Sequence, residues 1–333
     1  MSLKSVSPLL PASDMLKSSI KGRRWSSDNL LIRVLPVILL LILLGLLAAF
    51  APKFFTSRNI INIFVQSSTL GLMTMGMTLV MISGGIDLSI PAVMALSAIV
   101  GAMHLRDTNS ILTACLLMLF VGSALGAING LAVAYLKMIP FVVTLAMMTI
   151  AAGTSIWITN SVSVPITNDI YIESVRDTTL GIPRSVLVTA IVMIIMTVLL
   201  RRHLFGRWLY AVGVNIRAAR ISGVPTARVI FGTYVFSGFL AGLTATVLAA
   251  RLGSASANTG NDGIVLDIVS SAVVGGVSIY GGVGGPLGAV FGAVFITIIS
   301  NSMNLMQLSF FTGLIIKGIV IIGFVALESL RKR

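Results

Sequence analysis

The chain has 333 residues, 56% of them hydrophobic and only 10% charged, with a formal net charge of +13. A soluble domain carries about 25% charged residues, so this composition cannot cover a globule with polar surface and excludes a water-soluble enzyme or binding module. The positive charge is concentrated in loops and at the ends, the pattern of a multi-pass membrane protein, and this excludes nucleic acid as the partner.

In chain order, residues 1–33 are polar, Ser-rich and basic, with Lys17, Lys21, Arg23 and Arg24, and read as a cytoplasmic tail. The apolar run from Val34 to Phe50 has no small-residue cleavage site and is long for a signal segment, so it reads as a retained first span. A membrane domain follows over 34–327. Crossing a bilayer takes about 20 apolar residues, fewer where a helix is broken. Ten segments qualify, at roughly 34–51, 61–82, 88–104, 111–135, 141–159, 185–201, 228–250, 264–279, 285–305 and 310–327, with Gly and Pro interrupting the third, eighth and ninth. A basic loop, 202–227, separates the sixth from the seventh, and residues 328–333 form a basic C-terminus. The expected fold class is all-α and polytopic, with some helices interrupted.

Ten spans put both termini on one side, and the charges test this independently. The tail, the 136–140 turn, the 201–228 region and Arg331-Lys332-Arg333 then share a side and hold 16 of the 23 Lys and Arg. Lys53, Arg58, Arg106, Arg176, Arg184 and Arg251 fall on the other, and Lys317 lies within the last span. The asymmetry places both termini in the cytoplasm. The loop from Asn160 to Arg184 then faces outward, either as a short helix or turn that meets an external partner or as a solvated connector.

Two stretches resemble each other: Gly122-Ser123-Ala124-Leu125-Gly126-Ala127-Ile128 and Gly284-Gly285-Pro286-Leu287-Gly288-Ala289-Val290. More loosely, Gly84-Gly85-Ile86-Asp87-Leu88-Ser89 is like Gly263-Ile264-Val265-Leu266-Asp267-Ile268. Spans 2–5 (about 55–160) and 7–10 (about 228–327) therefore read as one unit repeated. The step from span 2 to span 7 is odd, so the units are inverted in the membrane, an arrangement found in transporters.

Few residues carry chemistry. An acid at the bilayer centre costs about 2.5–3.5 kcal/mol on insertion scales and needs a reason. Asp87 follows Ser83-Gly84-Gly85-Ile86 and precedes Leu88-Ser89-Ile90-Pro91; it reads either as the cap of the helix that Pro91 begins or as part of a pathway or gate. Asp267 and Lys317 also lie in apolar sequence, and Lys317 is expected to pair with one of the two aspartates. Gly275, Gly276, Gly281 and Gly282, like Gly84 and Gly85, mark helix breaks at membrane depth, tolerated where they line a cavity or meet another backbone. No glycine is followed directly by lysine, so a Walker A loop is absent. The lone Cys115 and the distant His104 and His203 give no disulfide and no metal site, and no cofactor or catalytic set is expected. The stretch from 201 to 228 contains six arginines and no acid, and suggests a docking element for a soluble partner.

Four blocks, in this order and spacing, resemble a known family. They are Gly76-Met77-Thr78-Leu79-Val80 with Ser83 to Ser89; Asn129-Gly130 with Ile139-Pro140-Phe141 and Thr144-Leu145; Gly213 and Asn215 with Ala218-Ala219-Arg220 and Ser222-Gly223; and Tyr234 and Ser237-Gly238 with Val274-Gly275-Gly276 and Gly281-Gly282. Over about 55–327 the chain is similar to the permease subunits of bacterial carbohydrate ATP-binding-cassette importers of the ribose/xylose/arabinose type. It departs from them at Pro91, often Gly in the family, and at Val265, often Glu, which removes any family role for position 265. The resemblance implies a multi-pass protein of the bacterial inner membrane without an ATP site of its own. It implies a second permease subunit, identical or homologous, a cytoplasmic ATPase pair and a periplasmic sugar-binding protein. The basic loop would hold a coupling helix with Asn215, Ala218, Ala219, Arg220 and Gly223 at the ATPase contact, the alanines allowing close approach and Arg220 meeting a carboxylate. The competing reading of these cations is contact with membrane lipid headgroups. The competing reading of the whole chain is an ion-coupled secondary transporter or channel for a small polar solute.

Overall fold

The computed structural model describes Gly45, residues 52–260 and residues 262–331. The tail at 1–33, nearly all of the expected span at 34–51 and the last two residues lie outside the described residues. Twelve helices account for most of what is described: α1 Ser57–Ile82, α2 Ile90–Thr108, α3 Ile111–Ala134, α4 Pro140–Thr159, α5 Asp169–Arg176, α6 Arg184–Arg202, α7 Leu204–Val214, α8 Ile216–Ile221, α9 Thr226–Leu252, α10 Asp262–Val274, α11 Pro286–Leu305 and α12 Phe310–Arg331. Among the described residues strand is confined to four two-residue pieces: β1 Val164–Pro165, β2 Thr178–Thr179, β3 Ile182–Pro183 and β4 Ser254–Ala255. The chain is an all-α polytopic membrane protein.

Seven of these helices, α1, α2, α3, α4, α6, α9 and α11, are long and apolar enough to cross a membrane. They match seven of the ten expected spans. The 310–327 span is found in the 22-residue α12. The 264–279 span is corrected: α10 is only 13 residues long and stops at Val274. It stops because Gly276 turns left-handed (φ +81°), its N–H bonding Val273 O at 2.9 Å while the Val277 N–H bonds Ala272 O at 3.0 Å. This paired closure of a helix end favours glycine, which has no Cβ to clash at positive φ. The same pair of bonds closes α1 at Gly84 and α8 at Gly223.

The spanning helices sort into two groups. α1, α2, α9 and α11 bury most of their surface inside the protein, whereas α3, α4 and α6 leave most of theirs outward. The outward residues are large and apolar, among them Leu112, Phe120, Trp157 and Ile194. So much exposed hydrocarbon suits lipid and not water.

The most extensive helix pairing is α3 with α9, and α1 lies against α11. The α3–α9 contact is made by glycine. A Cβ at Gly122 would overlap the Gly238 carbonyl oxygen, and one at Gly126 would overlap that of Tyr234. A Cβ at Gly242 would lie 2.5 Å from Met118 O. Gly122, Gly126 and Gly130 recur every four residues on α3, as do Gly238 and Gly242 on α9. This spacing puts them on one face and lets two backbones approach. The stretch that resembles the Gly122 run does a different job: Gly288 and Gly292 on α11 face Gly275 and Ser271 at the end of α10.

The connections gather at two ends. One carries Lys137 and the arginines of 201–228 and is called the basic end below. At the other, the hairpin end, the Asn160–Arg184 loop is structured. β1 pairs antiparallel with β4, β2 with β3, and α5 lies between them. The Tyr171 hydroxyl donates to Thr246 O at 2.7 Å, and Arg176 Nε donates to Arg251 O at 2.9 Å, fastening α5 to the end of α9. Arg184 and Asp177 form an exposed ion pair at 2.8 Å. At the same end Asn59 and Asn301 exchange amide hydrogen bonds of 3.0 and 2.9 Å, joining α1 to α11.

Candidate functional site

Asp87 lies in the break between α1 and α2 and is 1% exposed. It is not the cap expected from the sequence: α2 starts at Ile90 with Ser89 in the cap position and no side-chain cap bond. The Asp87 carboxylate instead organises a buried cluster. Oδ1 accepts from the Ser89 N–H at 3.1 Å and the Ser89 hydroxyl at 2.6 Å; Oδ2 accepts from the Ser237 hydroxyl at 2.8 Å. Asn129 Nδ2 on α3 donates to Ser89 Oγ at 2.9 Å. One carboxylate thus ties the first break to α3 and α9. Three hydrogen bonds to a carboxylate compensate part of its burial. Among the described residues no cation reaches it.

Lys317 pairs with the other candidate. Its Nζ lies 2.8 Å from Asp267 Oδ1 and 3.0 Å from Oδ2, linking α12 to α10. Both side chains are mostly buried, which is how a charge is retained within apolar surroundings. No hydrogen bond joins this pair to the Asp87 cluster among the described residues.

The glycine breaks meet each other. The Gly282 N–H donates to Ile82 O, the last residue of α1, at 2.9 Å. A Cβ at Gly213 would overlap the Ile82 carbonyl oxygen and stand 2.5 Å from Gly282 N. A Cβ at Gly281 would stand 2.8 Å from Gly213 O and 3.2 Å from Gly84. Three stretches of main chain therefore touch at one point: the end of α1, the end of α7 and the loop between α10 and α11. Tyr210 adds a fourth link, its hydroxyl donating to Gly284 O at 2.8 Å. Burial raises the pKa of this hydroxyl, with Arg201 partly opposing, so it stays a donor.

Directly after this junction comes α8. The Asn215 side chain caps it, accepting from the N–H groups of Arg217 and Ala218 at 3.0 Å each. Gly223 ends it. Asn215 and Gly223 thus act on the shape of α8. Ala218, Arg220 and Ile221 are exposed, Ile221 by 88%, but Ala219 is buried against its own chain. Ala219 therefore has no free face to offer a partner, contrary to expectation. A cavity of about 510 Å³ opens behind α8, bordered by Ser83, Gly84, Lys137, Gly213, Arg220 and Tyr234. The Ser83 hydroxyl bonds its own helix at Val80 O, 2.7 Å.

Reading the sequence alone missed Ser89, Asn129 and Ser237 as partners of Asp87. All three belong to the blocks that carry the family resemblance, which was the available signal. The four-residue glycine spacing was visible too.

A family model described as "Branched-chain amino acid transport system / permease component" matches residues 59–325. The chain belongs to this family. It is 32% identical to the ribose import permease protein of Escherichia coli (strain K12) over 322 residues, 95% of this chain and 99% of that one. It is 37% identical to the ribose import permease protein of Bacillus subtilis (strain 168) over 309 residues, 92% and 95% of the two chains. It is 35% identical to the D-allose transport system permease protein of E. coli (strain K12) over 294 residues, 88% and 90%. No solved structure matches the permease. The family model covers every element of the site: the Asp87 cluster, the glycine junction, α7 and α8, and the Asp267–Lys317 pair.

Proposed function

We propose that this permease forms half of the membrane pathway of an ATP-driven sugar importer. A second permease subunit, identical or homologous, completes the pathway. A periplasmic sugar-binding protein delivers cargo at the hairpin end, and a pair of separate cytoplasmic ATPase subunits docks on α8 at the basic end. Both termini are cytoplasmic. The observation that carries the coupling role is the junction of Ile82, Gly213 and Gly282. It puts the base of the docking element in main-chain contact with the breaks after α1 and after α10. A push on α8 then acts on both halves of the molecule. The names of the relatives support a pentose or hexose as cargo, and the pairing of α1 with α11 and α3 with α9 supports two related halves, α1–α4 and α9–α12. Arg220 and Ile221 present a cation and an apolar side chain to the ATPase, the mixture found at protein interfaces.

The test is reconstitution with the ATPase and binding protein in proteoliposomes and a screen of labelled sugars. ATP-dependent uptake of one sugar, lost in Arg220→Glu together with ATPase association, is the expected result. Flux without ATP through this chain alone, or uptake that collapses with an uncoupler at constant ATP, would overturn it in favour of an ion-coupled carrier or channel.

A further inference from the structure

A second cavity, of about 610 Å³, adjoins the one behind α8; the two share Ala134, Lys137, Arg220, Thr226 and Ala227, and the second adds Arg228. Three cations thus converge on one recess, and none has a carboxylate partner among the described residues. Lys137 is held in the left-handed region (φ +56°) as α3 ends, with the Met138 N–H bonded to Ala132 O at 3.1 Å. The recess also contains the start of α9, which has no side-chain cap. The Thr226 N–H already donates to Val224 O at 2.8 Å, so the N–H groups of Ala227 and Arg228 and the helix dipole are what favour an anion.

A hydroxyl in the recess points to an occupant. Thr226, 5% exposed, lines both, and its side chain makes no hydrogen bond among the described residues. Beside the recess the α3–α4 turn displays Leu136, Ile139 and Phe141 outward. A mostly apolar recess ringed by cations, at a membrane boundary and with an apolar flank, fits a phosphate that carries acyl chains better than a free one.

We propose that this recess binds the phosphate headgroup of an anionic phospholipid from the cytoplasmic leaflet. Lys137 and Arg228 flank the phosphate, the Thr226 hydroxyl and the N–H groups of Ala227 and Arg228 donate to it, and the acyl chains lie along Leu136, Ile139 and Phe141, while Arg220 at the rim is left to the ATPase. The lipid would sit behind α8 and brace it from the membrane side. The assignment rests on the basic end being cytoplasmic, but its test needs no transport.

The full chain in detergent is titrated with dioctanoyl phosphatidylglycerol, dioctanoyl phosphatidylcholine and inorganic phosphate, and bound species are counted by native mass spectrometry. At least ten-fold tighter binding of phosphatidylglycerol than of phosphatidylcholine is expected. Lys137→Ala with Arg228→Ala removes that preference, Lys137→Arg with Arg228→Lys restores it, and Arg201→Ala with Arg202→Ala leaves it intact. An equal loss in the 201/202 variant would mean a diffuse basic belt and overturn the site. Displacement of the lipid by millimolar inorganic phosphate would overturn the lipid assignment and give the recess to a soluble anion.

Discussion

Asp87 shows how much one residue holds together. Its carboxylate accepts every hydrogen bond that Ser237 and the Ser89 N–H make with it. Asp87→Ala strands these buried donors, and each stranded group costs about 1–3 kcal/mol. Thermal unfolding of the purified permease should therefore show a clear fall in Tm, with a smaller one for Asp87→Asn, whose remaining oxygen keeps part of the cluster. Equal Tm values for wild type and Asp87→Ala would refute the arrangement. For Lys317 and Asp267 the expected signature is coupling. Either single alanine variant leaves a buried charge alone, whereas the double variant leaves none. The double should be less destabilised than the sum of the singles by about 1 kcal/mol or more; simple additivity would break the pair. That a lysine in the last span would seek an acid was legible from the cost of burying it, and Asp267 was one of two candidates. The partners of Asp87 were not legible in the same way. Most serines in these helices bond a carbonyl one turn back, as Ser97 does with Val93 O. Nothing in their local sequence separates Ser237 from them.

At the scale of elements, hydrophobic run length revealed most of the spans, because a bilayer imposes length more strictly than a globular core does. Run length alone overshot where the chain is broken: it carried the eighth span to 279, but α10 ends at Val274, at the break that Gly275 and Gly276 had marked in the sequence. The antiparallel pairing of Val164–Pro165 with Ser254–Ala255 joins segments about 90 residues apart and leaves no local pattern. The glycine ladder of α3 was visible but read as a sign of repetition, whereas its cause is the close approach of α9. Gly126→Val should drive these backbones apart and destabilise the permease by about 2 kcal/mol or more. Gly153→Ala on α4 meets no atom within 4 Å and should be neutral or stabilising by about 0.5–1 kcal/mol. The comparison of the two by thermal unfolding separates packing from loss of glycine as such.

For the whole molecule, the distribution of charge made a claim about orientation that labelling can check. Leu180, 97% exposed at the tip of the β2–β3 hairpin, and Ile221 at the end of α8 mark the two ends. In a Cys115→Ser background, Leu180→Cys should react with an impermeant maleimide on intact spheroplasts, and Ile221→Cys only after lysis. The reverse would invert the topology and remove the ATPase from α8. The junction at Ile82, Gly213 and Gly282 has a bearing on engineering. Because main chain makes most of the contact, the side-chain code that one relative must match in another is short: the Tyr210 hydroxyl on Gly284 O. Grafting residues 204–224 from a related permease should therefore preserve the joint as long as tyrosine is kept at 210 and glycine at 213, and would yield a chimera that answers to a different motor while moving the original cargo.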